Sequence, residues 1–92
     1  MILFNYTEQG IRTVRDAGPR LDGLKRTRRA LGGEVQAFYL TLGPYDTVAV
    51  VTVPDDATMA RLALDLGAAG NVRTLTMRAF PEPEYRAILA SL

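Results

Sequence analysis

Residues Glu34 to Val53 constrain the fold more than any other part of the chain. Two runs rich in β-branched and aromatic residues, Glu34–Leu42 and Thr47–Val53, are joined by Gly43-Pro44-Tyr45-Asp46. A connection that short makes the two strands an antiparallel hairpin. A half-buried strand alternates apolar and polar residues, but neither run does so. Val48 and Val50 fall on one side of the later strand, with Ala49, Val51 and Val53 on the other. In the earlier strand, Val35, Ala37 and Tyr39 oppose Phe38, Leu40 and Leu42. Both faces of the hairpin are apolar, and both need cover.

The remaining segments arrange themselves around this hairpin. Met1–Tyr6 is short, bulky and β-type, and Thr7 is placed to cap a helical turn with Glu8 behind it. Ile11 and Val14 recur at helical spacing, Asp16-Ala17-Gly18-Pro19 interrupts, and Pro19 suits the first position of a new helix. From Arg20, the residues Leu21, Leu24 and Leu31 share one helical face. Arg20, Lys25, Arg26, Arg28 and Arg29 are assigned to the solvated side, and Gly32-Gly33 ends the helix. After the hairpin, Pro54 stops the strand and Asp55-Asp56 caps a second helix striped by Met59, Leu62, Ala63 and Leu66. Asn71–Phe80 alternates as a last strand, with Leu75, Met77 and Ala79 opposite Thr74, Thr76 and Arg78. Pro81–Leu92 predicts a short terminal helix with Tyr85, Ile88 and Leu89 on its apolar side. The expectation is a single domain over 1–92, a βαββαβ core to residue 80 followed by a helical tail.

That order is the split βαβ, an α+β ferredoxin-like fold with a four-stranded antiparallel sheet. Right-handed crossovers put both helices on one sheet face, which leaves the opposite apolar face to a second copy or, as the lesser alternative, to the short and half-polar C-terminal segment. A second copy, sheet against sheet, is the simplest cover. At about 25 cal/mol per Å², hiding several hundred Å² gains on the order of ten kcal/mol before association costs. The expected assembly is a homodimer of the dimeric α/β-barrel type, open to higher oligomers.

Composition removes much chemistry. With no cysteine and no histidine, there is no thiolate nucleophile, no disulfide framework and no imidazole base or ligand. No catalytic residue, metal site or cofactor motif is assigned. A net charge of +1 supplies no field for nucleic acid or an anionic membrane. The basic helix lacks the interleaved aromatics that stack on bases. No apolar run approaches the ~20 residues of a membrane-spanning helix, and the expected location is the cytoplasm.

Four stretches carry a family likeness: Tyr6-Thr7-Glu8-Gln9-Gly10-Ile11-Arg12, Pro19-Arg20, Phe38 to Asp46, and Gly70-Asn71-Val72-Arg73-Thr74. Through them Met1–Phe80 resembles the GYD domain, a bacterial and archaeal family named for its Gly-Tyr-Asp signature. Pro44 departs from the polar residue usual at that position. The Gly43-x-Tyr45-Asp46 turn also resembles, more weakly, the effector-binding half of Lrp/AsnC-type regulators. The first resemblance implies the fold and a dimer-style assembly, and no activity.

Candidate site residues follow from these readings. Tyr39, Gly43, Tyr45, Asp46 and Arg78 are candidates for holding a small metabolite at a subunit junction. Gly43 would admit close backbone approach, Tyr45 would stack, Asp46 would accept from an amine, and Arg78 would meet a carboxylate. The plainer account gives Gly43 a positive φ, Pro44 the bend, and Asp46 bonds to local amides. Tyr6, Thr7, Glu8 and Arg73 form a second candidate polar cluster, equally explicable as a cap and a surface ion pair. The favoured function is a homo-oligomeric metabolite-binding module. One alternative is a cofactor-free oxygenase or isomerase using Glu8, Asp46 and Tyr39 for proton transfer. The other is a structural subunit without a ligand.

Overall fold

A computed structural model describes residues 1–92. The elements are β1 (Ile2–Tyr6), α1 (Glu8–Arg12), a 3₁₀ turn at Val14–Asp16, α2 (Ala17–Ala30), β2 (Glu34–Leu40), β3 (Thr47–Thr52), α3 (Asp56–Ala68), β4 (Val72–Thr76) and α4 (Glu82–Ala90). The strands form one antiparallel sheet in the order β2-β3-β1-β4. This is the expected ferredoxin-like α+β fold.

Burial identifies the face under the helices. Ile2, Phe4, Thr47 and Ala49 are buried there, and Leu24 of α2 and Leu62 of α3 close over them. Phe4 and Phe38 tilt against each other with ring centroids 6.3 Å apart. α2 lies over β2 and α3 over β4, while the two helices barely touch each other. Only eight of 92 residues are buried, so a single chain leaves much of its apolar surface wet.

The caps work as their residue types dictate. Thr7 accepts the Gly10 N–H at 3.0 Å, and Asp55 accepts the Thr58 N–H at 2.8 Å. α2 ends in a Schellman turn: Gly33 N–H bonds the Arg28 carbonyl at 2.9 Å and Gly32 N–H that of Arg29 at 3.1 Å. Gly32 has φ 80°, a conformation that costs a side-chain-bearing residue dearly.

Several expectations need correction. Helix α2 begins at Ala17, so Pro19 sits inside its first turn instead of opening it. Arg28 is fully buried, although the sequence places it on the solvated face. Its position between Leu24 and Leu31 continues the stripe 21-24-28-31 and turns it inward. In β2 a bulge at Gln36 breaks the alternation: Val35 pairs with Val51 but Ala37 pairs with Val50. Val35 thereby joins Phe38 on the helix side, leaving Ala37 and Tyr39 opposite. The last strand stops at Thr76, short of the expected Phe80. Its ladder with β1 ends where Met77 N–H meets the Met1 carbonyl at 2.8 Å, and residues 78–80 have no neighbouring strand to pair with.

Helix α4 is the outlying element. Every residue from Pro81 to Leu92 is exposed, including Tyr85, Ile88 and Leu89, and α4 does not pack on the sheet. No helix is long and apolar enough to cross a membrane.

Candidate functional site

Three regions bear on function: the signature turn, the uncovered sheet face and a groove between the helices. In the turn, the backbone of Asp46 extends the ladder, with its N–H bonding the Phe4 carbonyl and its carbonyl taking the Thr41 N–H, both at 2.9 Å. The Asp46 carboxylate accepts the Tyr6 N–H at 2.8 Å. It therefore ties the hairpin to β1, a partner far away in sequence instead of the local amides expected. The Thr41 hydroxyl donates to the Tyr45 carbonyl at 2.6 Å, closing the loop from inside. Gly43 has the positive φ expected of it, at 159°.

The residues after β1 form a tight seam with those before β4. The Thr7 hydroxyl donates to the Gly70 carbonyl at 2.6 Å, and Thr7 N–H bonds the Asn71 carbonyl at 3.1 Å. Gln9 Nε2 donates to Asn71 Oδ1 at 3.0 Å. Gly10 is buried against this seam, and a β-carbon there would fall 1.8 Å from the Asn71 carbonyl oxygen. Two of the four stretches that carry the family likeness thus meet along this seam.

The expected clusters do not assemble as drawn. Glu8 pairs with Arg12 on the surface of α1. Arg73 pairs across the ladder with Asn5 on the opposite sheet face from Tyr6, so the second polar cluster loses its arginine. Alternation along β4 explains this, because Arg73 and Val72 point to opposite sides. Arg78 lies beyond β4, its guanidinium 5.5 Å from the Phe80 ring centroid. Thr74 and Thr76 take the helix side beside Phe4 and Ile2, whereas Tyr39 takes the other. Glu8, Asp46 and Tyr39 have separate neighbours and do not converge on a shared proton.

The uncovered face is continuous. Tyr39, Val48, Leu3 and Leu75 are register partners in succession, one residue from each strand, and form a row across the whole sheet. Tyr39 and Leu75 are exposed, while Leu3, Val48 and Val50 are half-buried by their neighbours.

On the helix side, α2 and α3 part over the central strands and leave a groove of about 320 Å³. Phe4, Phe38 and Thr47 form its floor, Leu21, Leu24, Leu62 and Leu66 its walls, and Arg20 and Asp65 stand on opposite helices. No group of three or more acids is placed to hold a metal ion. Arg20, Thr47 and Asp65 were missed in the sequence. One charge among several on each of two amphipathic helices looks like ordinary surface, and Thr47 looks like a strand's first polar residue.

One further polar feature is buried. All three Arg28 guanidinium nitrogens lack a hydrogen-bond partner, and burial pushes this group below its ordinary range.

Comparison with known proteins agrees with the signature. A protein of Thermus thermophilus named "Glutamine synthetase and cystathionine beta-lyase binding protein" is 38% identical over 90 residues, covering 97% of this chain and 95% of that protein. No solved structure matches significantly. The GYD domain model matches residues 1–89, so the chain belongs to the GYD-domain family.

Proposed function

We propose that this protein is a self-associating, non-catalytic binding module. Two copies close their open sheet faces on each other, and the pair then presents α4 to a partner protein. The observation that carries this reading is the row Tyr39, Val48, Leu3 and Leu75, apolar from edge to edge with no helix over it. Apolar surface that spans a sheet gains from burial at about 25 cal/mol per Å². A contiguous patch of that kind marks an interaction surface.

The partner-protein part of the reading is supported by α4 and by the relative. α4 holds Tyr85, Ile88 and Leu89 away from its own domain. A nine-residue helix is too short to persist undocked in water. The relative is named for binding two enzymes, glutamine synthetase and cystathionine beta-lyase. We assign this chain the same kind of work, holding enzymes through the α4 stripe. A small metabolite is part of the same reading, with Tyr39, Gly43, Tyr45, Asp46 and Arg78 the residues first expected to meet it. Asp46 serves that role least, since its carboxylate already holds the Tyr6 N–H.

Two measurements test the proposal. In sedimentation equilibrium the native chain should weigh as two copies, and Leu75→Glu should weigh as one without unfolding. Purified glutamine synthetase and cystathionine beta-lyase should be retained by the immobilised native chain and lost from an Ile88→Glu variant. A native monomer of about 10 kDa would overturn the pairing. Retention unaffected by Ile88→Glu would overturn the role of α4.

A further inference from the structure

The groove between α2 and α3 has the make-up of a small-molecule site. Its volume of about 320 Å³ sits at the lower end of the 300–1,000 Å³ range of ligand pockets. It arises because α2 covers β2 and α3 covers β4, leaving β3 and β1 between them as a floor. The interior is predominantly apolar, as such sites are.

Among its polar side chains, Arg20, Thr47 and Asp65 keep hydrogen-bonding capacity that the protein itself does not use. Thr47 is 5% exposed, lies on the floor, and its hydroxyl makes no hydrogen bond within the protein. Arg20 is anchored by donating to Thr13 and to the Gly10 carbonyl, yet it forms no ion pair. Those three bonds leave two of its five N–H donors free. Asp65, on the facing helix, also has no ion-pair or side-chain hydrogen-bond partner. The salt bridges of the protein are the two surface pairs Glu8–Arg12 and Glu82–Arg86, so the two groove charges do not neutralise each other. One uncompensated cation and one uncompensated anion therefore border one apolar hollow.

We propose that this groove binds an apolar α-amino acid. Its carboxylate meets the free Arg20 donors, its ammonium meets Asp65, and its aliphatic or aromatic side chain fills the space above Phe4. The Thr47 hydroxyl takes the remaining polar contact. A simple carboxylic acid would leave Asp65 unanswered, and a simple amine would leave Arg20 unanswered. The groove is complete within one chain and does not depend on pairing of the sheet faces. It stands apart from the subunit junction considered above.

The test is calorimetric titration with L-leucine and L-phenylalanine up to about 10 mM. L-serine, 4-methylpentanoate and 3-methylbutylamine serve as the polar, carboxylate-only and amine-only controls. The apolar amino acids should bind and each control should bind at least about tenfold more weakly, a difference of 1.4 kcal/mol. Asp65→Asn should erase the preference for L-leucine over 4-methylpentanoate. Ala69→Trp, at an exposed position on the rim, should block binding with the folded spectrum intact. Absence of heat from either amino acid would overturn the proposal, as would binding that survives Ala69→Trp. The Leu75→Glu variant should bind like the native chain, which separates failure of this site from failure of self-association.

Discussion

The carboxylate of Asp46 accepts the backbone N–H of Tyr6 at 2.8 Å, across 40 positions of sequence. The bond fixes the hairpin loop to the end of β1, where the chain turns into α1. The signature aspartate is therefore a structural tie before it is anything else. Asp46→Ala leaves that part-buried N–H without a partner, which costs about 1–3 kcal/mol. Asp46→Asn keeps an acceptor oxygen and should cost less. Urea denaturation of the three proteins checks this; equal midpoints would show that the carboxylate holds nothing.

Gly10 and Asn71 meet more closely than any side chain permits. A β-carbon on Gly10 would overlap the Asn71 carbonyl oxygen at 1.8 Å, and the obstacle is backbone on both sides. Gly10→Ala should therefore force β4 away from α1, at a cost of about 3 kcal/mol or more. Gly67→Ala is the matched control, since its β-carbon would meet nothing within 4 Å. Thermal melts of the pair should show a large loss for the first and a slight gain for the second.

Arg28 is a cation in an apolar place. Its stem passes beside Gly33 and its guanidinium has no partner, so charge burial there opposes folding. Arg28→Met keeps much of the length and removes the charge. The melting temperature should rise by about 4–8 °C for each kcal/mol gained. A fall would show that the guanidinium is answered by something outside a single chain.

On the acid side, the pH dependence has one identifiable source. Hydrogen bonds from Thr58 hold the Asp55 carboxyl below its ordinary range. A group whose native value is depressed favours the folded state above its unfolded value and loses that contribution as the pH falls through the native one. Stability should therefore decline on the acid side of the ordinary Asp range. Asp55→Asn, which caps without titrating, should flatten that part of the profile. Denaturation midpoints measured across the acid range decide it.

The order of elements was legible because turn residues and caps act locally. As caps and stops, Thr7, Asp55, Gly32 and Pro54 act on neighbours within a few positions, and each is found at the boundary its type marks. What stayed hidden depends on pairing between distant segments. The bulge at Gln36 is a property of β2 against β3, and no feature of β2 alone announces it. Arg28 betrayed nothing because charge outweighs angular position when residues are sorted by polarity, although the stripe through Leu24 and Leu31 runs straight over it. The groove was invisible for a related reason. It exists because two helices stand over outer strands, and separation between elements leaves no mark in either one.

The isolation of α4 has a consequence for how such a protein can change over generations. Residues that contribute nothing to the interior of their own domain can be replaced without touching its melting point. Selection for a new companion could thus rewrite Tyr85, Ile88 and Leu89 while the scaffold behind them stays intact. Recognition and foldability are uncoupled by a gap of a few residues.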